Sequence, residues 1–148
     1  MTQEVVIERL TTNSPQIVEQ INRLTPQLKP SWEPVTVQGL DCILASPTRV
    51  YVARVGDVII GITLLVPHHH LPGLRFHIED VVVEERHRRR GIARRLLAAA
   101  MAEAQDAISF DLRSHRVREA AHRMYLSLGF EPSDTTVFRK LMNTPSDF

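Results

Sequence analysis

Polar and apolar positions in this chain switch between a period of about two and a period of roughly 3.6 residues, and the switches mark out its elements. Val5 to Leu10 reads as a first strand. Ser14-Pro15 marks a helix start, with Pro15 at the first helical position and Ile17, Ile21 and Leu24 recurring on one face. Pro26, Pro30 and Pro34 break the next segment, a loop that holds Trp32 and Glu33. Thr36 to Ala45 predicts a second short helix. Arg49 to Arg54 and Val58 to Val66 predict two strands joined by Val55-Gly56-Asp57, a hairpin signal. Pro67 is expected to end the second of them, which leaves His68 to Gly73 as a solvated loop.

The stretch from Phe76 to Asp106 organises the rest. Phe76 to Val83 reads as a strand covered on both faces, with Glu79 and Asp80 interrupting its apolar run. A short arginine-rich loop follows. Ala93, Leu96, Leu97, Ala100, Met101 and Ala104 then fall on one face of a helix running toward Asp106. Ala107 to Leu112 closes a strand–helix–strand unit, whose crossover is expected to be parallel and right-handed. Val117, Ala120, Ala121, Met124, Tyr125 and Leu128 give a last helix, stopped by Gly129. Thr136 to Leu141 predicts a final strand, and residues 143–148 a frayed tail.

Length and composition narrow the class. The 148 residues suit one domain, 1–148, with a sizeable core. A net charge of +1 gives no global bias toward nucleic acid or an anionic membrane. Cys42 is the single cysteine, which excludes an intrachain disulfide and fits a reducing compartment. Met1 to Glu4 has no leader-like character, and the longest apolar run, Val58 to Val66, is too short to span a bilayer. The expected location is the cytoplasm.

The arginine loop has a physical use. The first turn of a helix presents unpaired N–H groups and the positive end of the helix dipole, and so attracts anions. Gly91 allows a ligand close to the backbone, and Ala93 is too small to obstruct it. Arg88, Arg89 and Arg90 can add charge-assisted hydrogen bonds to phosphate oxygens. A pyrophosphate site is expected where strand hands over to helix. His68, His69 and His70 invite a metal reading, but adjacent residues converge poorly on one ion and no cysteine or carboxylate lies beside them. No metal is expected.

Arg88-x-x-Gly91-x-Ala93 matches the Arg/Gln-x-x-Gly-x-Gly/Ala signature of the GNAT superfamily of acyl-CoA-dependent N-acyltransferases. Arg118-x-x-Ala121-x-x-Met124-Tyr125-x-x-x-Gly129-Phe130 resembles that superfamily's last helix, with Arg118 where asparagine is common. The resemblance implies an α/β fold of α+β mixed-sheet type: a mostly antiparallel sheet, a parallel pair between its fourth and fifth strands, and about four helices. It implies acetyl-CoA as acyl donor and a primary amine as acceptor. Cofactor contacts are expected from Val81, Val82, Val83, Arg88, Arg89, Arg90, Gly91, Ile92, Ala93, Arg94 and Arg118. The backbone at Val81 and Val83 would pair with the pantetheine arm, at a bulge in the strand. Tyr125 is the expected proton donor to the departing thiolate; its position also suits a core tyrosine. Glu79 is the expected base, directly or through water, with Asp80 as the other choice and His77 and His115 in reserve. The bland alternative for Glu79 is an ion pair with Arg75 or Arg113. His77 to Val83 is also similar to the matching strand of glucosamine-6-phosphate N-acetyltransferases. A homodimer through edge strands fits the superfamily.

Two other readings compete. A nucleic-acid-binding module built on Arg86 to Arg95 is opposed by the near-neutral charge and by only eight aromatic residues. A non-catalytic acyl-CoA-binding regulator of the same fold is opposed by the presence of Tyr125 and Glu79. The acceptor stays open among amino sugar, polyamine, amino acid, drug-like amine and protein N-terminus. Residues 25–45, with Trp32 either a site wall or a pinned loop aromatic, the His68 to Gly73 loop and the Pro132 to Asp134 turn are expected to shape its pocket.

Overall fold

A computed structural model describes residues 3–143. Five strands, β1 (Val5–Leu10), β2 (Arg49–Val55), β3 (Val58–His70), β4 (Gly73–Val83) and β5 (Ser109–Leu112), form one sheet in the order β1-β2-β3-β4-β5. The first four are antiparallel neighbours, and β5 runs parallel to β4. Four helices accompany them: α1 (Pro15–Leu28), α2 (Val37–Ala45), α3 (Ile92–Ala102) and α4 (Glu119–Ser127). This is the mixed sheet expected. The chain divides into two compact units, one through Arg113 that holds the whole sheet and a second from Ser114 that holds α4.

In the first unit the sheet is covered on both faces. The Ser14 hydroxyl accepts from the Ile17 N–H and caps α1, which lays Val18, Ile21 and Leu24 against Leu10, Val50, Val52, Ile62 and Val82. Leu96 and Leu97 of α3 are fully buried on the other side, each stabilising the fold by about 1.5–3 kcal/mol. At Gly61 on β3 the sheet makes room for α3: a Cβ there would sit 3.1 Å from the Leu96 side chain. The Tyr51 phenol donates to the Glu103 carboxylate and ties the end of α3 to β2. Burial, and then Glu103, push that phenol up to about 12.

Several boundaries differ from expectation. Pro26 does not break α1; it lies in the last turn, where it removes a single backbone bond, and the helix continues to Leu28. β3 passes through Pro67, which pairs in register with Phe76, and continues to His70. The β2 ladder on β3 stops at Leu65, so Pro67 lies where one edge of β3 has lost its neighbour. His68 to His70 are therefore strand residues. α3 stops at Ala102, short of Asp106, with the Glu103 N–H turned back on Ala100 and Met101. α4 starts at Glu119, and Val117 is exposed outside it. Thr136 to Leu141 forms no strand. Its apolar residues come in adjacent pairs, Val137-Phe138 and Leu141-Met142, which give no single face to bury, and all four are exposed. Of the expected frayed tail, residues 144–148 lie outside the described residues.

Candidate active site

β4 carries the chemistry, and its geometry changes along its length. From Arg75 to Ile78 it is held on both edges, by β3 and by β5. The β5 ladder ends with Ile78 opposite Leu112, so from Glu79 onward the outer edge of β4 has no strand partner among the described residues. On the other edge the β3 register shifts: Leu64 faces Glu79 and Ile62 faces Val82, which sets Asp80 and Val81 opposite Thr63 alone. Asp80 takes a left-handed conformation, φ 57°, which aspartate tolerates better than most side chains. Thr63 is fully buried, and its hydroxyl donates to the Glu79 carbonyl at 3.1 Å. Thr63 was not among the residues expected in the site, although a lone hydroxyl in the apolar run Val58 to Val66 was the available signal.

The bulge separates the two carboxylates. Glu79 lies in the ladder beside Leu64, and Asp80 lies in the bulge. Burial, and then the neighbouring Glu79, raise the Asp80 carboxyl above the usual carboxylate range. Among the described residues Glu79 makes no ion pair with Arg75 or Arg113; ion pairs form elsewhere, at Arg54–Glu8 and Arg86–Glu84. His77, two residues before Glu79, stacks face to face on His68 at 3.8 Å and 9°. Burial, and then His68, lower its pKa.

After Val83 the chain makes a one-turn 3-10 helix, Glu85–His87, and enters the arginine loop. Arg89 and Gly91 both have positive φ, 65° and 71°, and Gly91 stands at the N-cap of α3, where it has no side chain to cap the helix. A Cβ on Gly91 would meet nothing within 4 Å, so the space in front of the helix is open. Arg88 turns inward, its Nε donating to the Val83 carbonyl at 3.0 Å. Arg95 donates to the Val5 carbonyl at 2.9 Å. Arg89, Arg90 and Arg94 are exposed, Ile92 is buried in the core, and Ala93 is half-buried. The loop thus spends one arginine on its own shape and leaves backbone donors facing outward.

In the second unit, Tyr125 is buried on α4 with its ring edge-on to Phe130, 6.1 Å between centroids. Burial raises its pKa while Arg118, at the N-cap of α4, opposes the shift. His115 accepts from the Val117 N–H at 3.3 Å, which occupies one ring nitrogen in a turn. In the first unit Trp32 is half-buried in the α1–α2 loop, and that loop is anchored by the Asn22 side chain, which both donates to and accepts from the Val35 backbone at 2.9 Å.

A mixed sheet whose fourth and fifth strands part at a bulge, followed by a glycine-led helix, is the arrangement of an acetyltransferase fold. The chain belongs to the Acetyltransferase (GNAT) family, whose model matches residues 16–130. It is 30% identical over 129 residues to an uncharacterized protein of Mycobacterium leprae. That match takes in 86% of this chain and 34% of the relative, so the chain spans about a third of the relative's length. Among solved structures it is similar to an aminoglycoside acetyltransferase, meta-AAC0020, from an uncultured soil metagenomic sample (TM-score 0.80, 20% identity, covering 93% of this chain and 97% of the other). It is similar to AAC(6')-Iy in complex with a bisubstrate analogue (0.74, 19%, covering 95% and 99%). A Trypanosoma brucei acetyltransferase gives 0.74 and 19%, covering 93% and 100%. At these identities the likeness is one of fold.

Proposed function

We propose that this protein transfers an acetyl group from acetyl-CoA to a primary amine by direct attack. One observation carries the reading: among the described residues the outer edge of β4 has no strand partner from Glu79 to Val83, and the chain leads from that edge directly to the N-terminus of α3. An extended pantetheine arm, with its amide groups, suits such an edge as an added strand on Val81 and Val83, with Val82 turned into the core. The pyrophosphate suits the α3 N-terminus, on the backbone from Gly91 to Ala93, with Arg88, Arg89, Arg90 and Arg94 adding charge, the Arg88 Nε also shaping the loop and Ile92 anchoring the helix behind it. Arg118 is a further proposed cofactor contact, resting on its motif position.

Holding the thioester against the amine supplies several kcal/mol of the barrier by placement alone. The Val81 N–H, beside the bulge, is the proposed donor to the tetrahedral oxyanion. Glu79 or Asp80 takes a proton from the acceptor's ammonium, directly or through water, and leaves the neutral amine that attacks the thioester carbonyl. The raised pKa of Asp80 makes its carboxylate a stronger proton acceptor than an ordinary one. Tyr125 protonates the departing thiolate; its raised pKa keeps the phenol in the donor state at neutral pH. The aminoglycoside acetyltransferases of similar fold support an amine as acceptor.

Thermal unfolding with acetyl-CoA, CoA and ATP tests the reading. A ligand at about 100 times its Kd stabilises the native state by roughly 2.7 kcal/mol, a melting shift of several degrees for a chain of this size. Shifts with acetyl-CoA and CoA but not ATP are expected. No shift with acetyl-CoA sinks the cofactor assignment.

A further inference from the structure

Resting on that reading, we propose that the acceptor carries an anionic group, a carboxylate or phosphate ester, and that Arg75 docks it. Arg75, His77 and Glu79 share one face of β4, because Phe76 and Ile78 between them are buried on the opposite face. α1 packs over Ile62 and Val82 on this side of the sheet, beyond the bulge, and leaves Arg75, His77 and Glu79 half-buried. His68 of β3 stands opposite Arg75 in the ladder, and its ring lies on His77.

The Arg75 Nε is shut off from water and has no hydrogen-bond partner. A buried donor left unpaired is costly, and most native ones have a partner. Guanidinium nitrogens only donate, so the missing partner is an oxygen, and a planar oxyanion fits the guanidinium fork best. The nearby carboxylate of Glu79 does not fill the role, since the two form no ion pair. Arg75 and Glu79 are four residues apart, about 13 Å along a strand. An acceptor whose amine lies at Glu79 and Asp80 therefore has its anion several bonds away. The flat His68–His77 stack lines the span between.

The test pairs acceptors that differ in the anion alone: γ-aminobutyrate against its amide, and a hexosamine 6-phosphate against the free hexosamine, with spermidine as an amine without an anion. Binding to the CoA-loaded protein is measured by calorimetry and turnover by thiol release. At least one anionic member binds about tenfold tighter than its partner, and which one distinguishes carboxylate from phosphate. Arg75→Gln removes that preference through KM, with kcat within about twofold and the acetyl-CoA Kd unchanged, while Arg75→Lys restores part of it. Equal binding within both pairs, preference for spermidine, or a preference that survives Arg75→Gln each overturns the proposal. Failure to bind CoA at all sinks the underlying function instead.

Discussion

The Thr63 hydroxyl holds the Glu79 carbonyl at 3.1 Å from the next strand, at the point where β4 bulges. Thr63 is fully buried, so the hydroxyl has no water to turn to. Thr63→Val keeps the side-chain shape and leaves the carbonyl unpaired, which costs about 1 kcal/mol and lowers Tm by a few degrees. Turnover is expected to fall further than stability, because the bulge orients Glu79, Asp80 and Val81 together. Calorimetry beside steady-state kinetics checks this, and a variant with unchanged Tm and kcat removes Thr63 from the account.

Asp80 sets a stability cost of known sign. Its folded pKa lies above the ordinary carboxylate value of about 3.9, so the folded state binds the proton more tightly than the unfolded one. Stability then falls as pH rises from the ordinary value through the raised one. Asp80→Asn, which tolerates the left-handed backbone equally well, is expected to raise Tm at pH 7. The gain vanishes below about pH 4, where both forms are neutral. The same variant loses turnover if Asp80 is the base. Glu79→Gln removes the second cause of the shift and moves the acid limb of kcat/KM to lower pH. A limb that stays in place in Glu79→Gln and disappears in Asp80→Asn assigns the proton to Asp80 without help from its neighbour.

Gly91 separates shape from charge at the phosphate loop. Its φ of 71° is reachable by asparagine, and the space around it is open. Gly91→Asn is expected to fold normally and bind acetyl-CoA with modest loss. Gly91→Asp adds one negative charge at the same volume and is expected to bind about tenfold more weakly still. Equal affinities for the two variants place the phosphates elsewhere.

Tyr125→Phe deletes the proposed proton donor and keeps the ring that meets Phe130. Turnover is expected to drop by well over tenfold, with the acetyl-CoA Kd within about twofold of wild type. The raised pKa of the phenol also predicts that kcat holds as pH rises toward 10. Unchanged turnover in the variant makes Tyr125 a packing residue.

Much of this was legible in the sequence because it is local. The Ser14 cap, the α1 stripe and the glycine before α3 are written in residues a few positions apart. Pro67 was misread for a tertiary reason. Pro67 breaks a strand only where both edges are paired, and the point at which β2 stops pairing with β3 is not in the local sequence. The stacking of His68 on His77 depends on the β3–β4 register, so three adjacent histidines looked like a loop. The bond from the Arg88 Nε to the Val83 carbonyl depends on how the loop turns back on β4, which the residue's charge alone does not show. At Thr136 to Leu141 strand propensity was present without an alternating face, and propensity alone formed no strand.

The ladder between β4 and β5 covers Arg75 to Ile78 and stops. One strand therefore has two halves with different freedoms to change. On the proposed reading, the half beyond Ile78 meets the donor through its backbone, so most side-chain substitutions there are expected to leave recognition of the donor intact. The half before it meets a ligand through its side chains, on a frame held at both edges and tolerant of exchange on its exposed face. If Arg75 docks the acceptor as proposed, replacing it or His77 redirects the protein to a new amine without rebuilding the donor site, and that gives a lineage an economical route from one acceptor to the next.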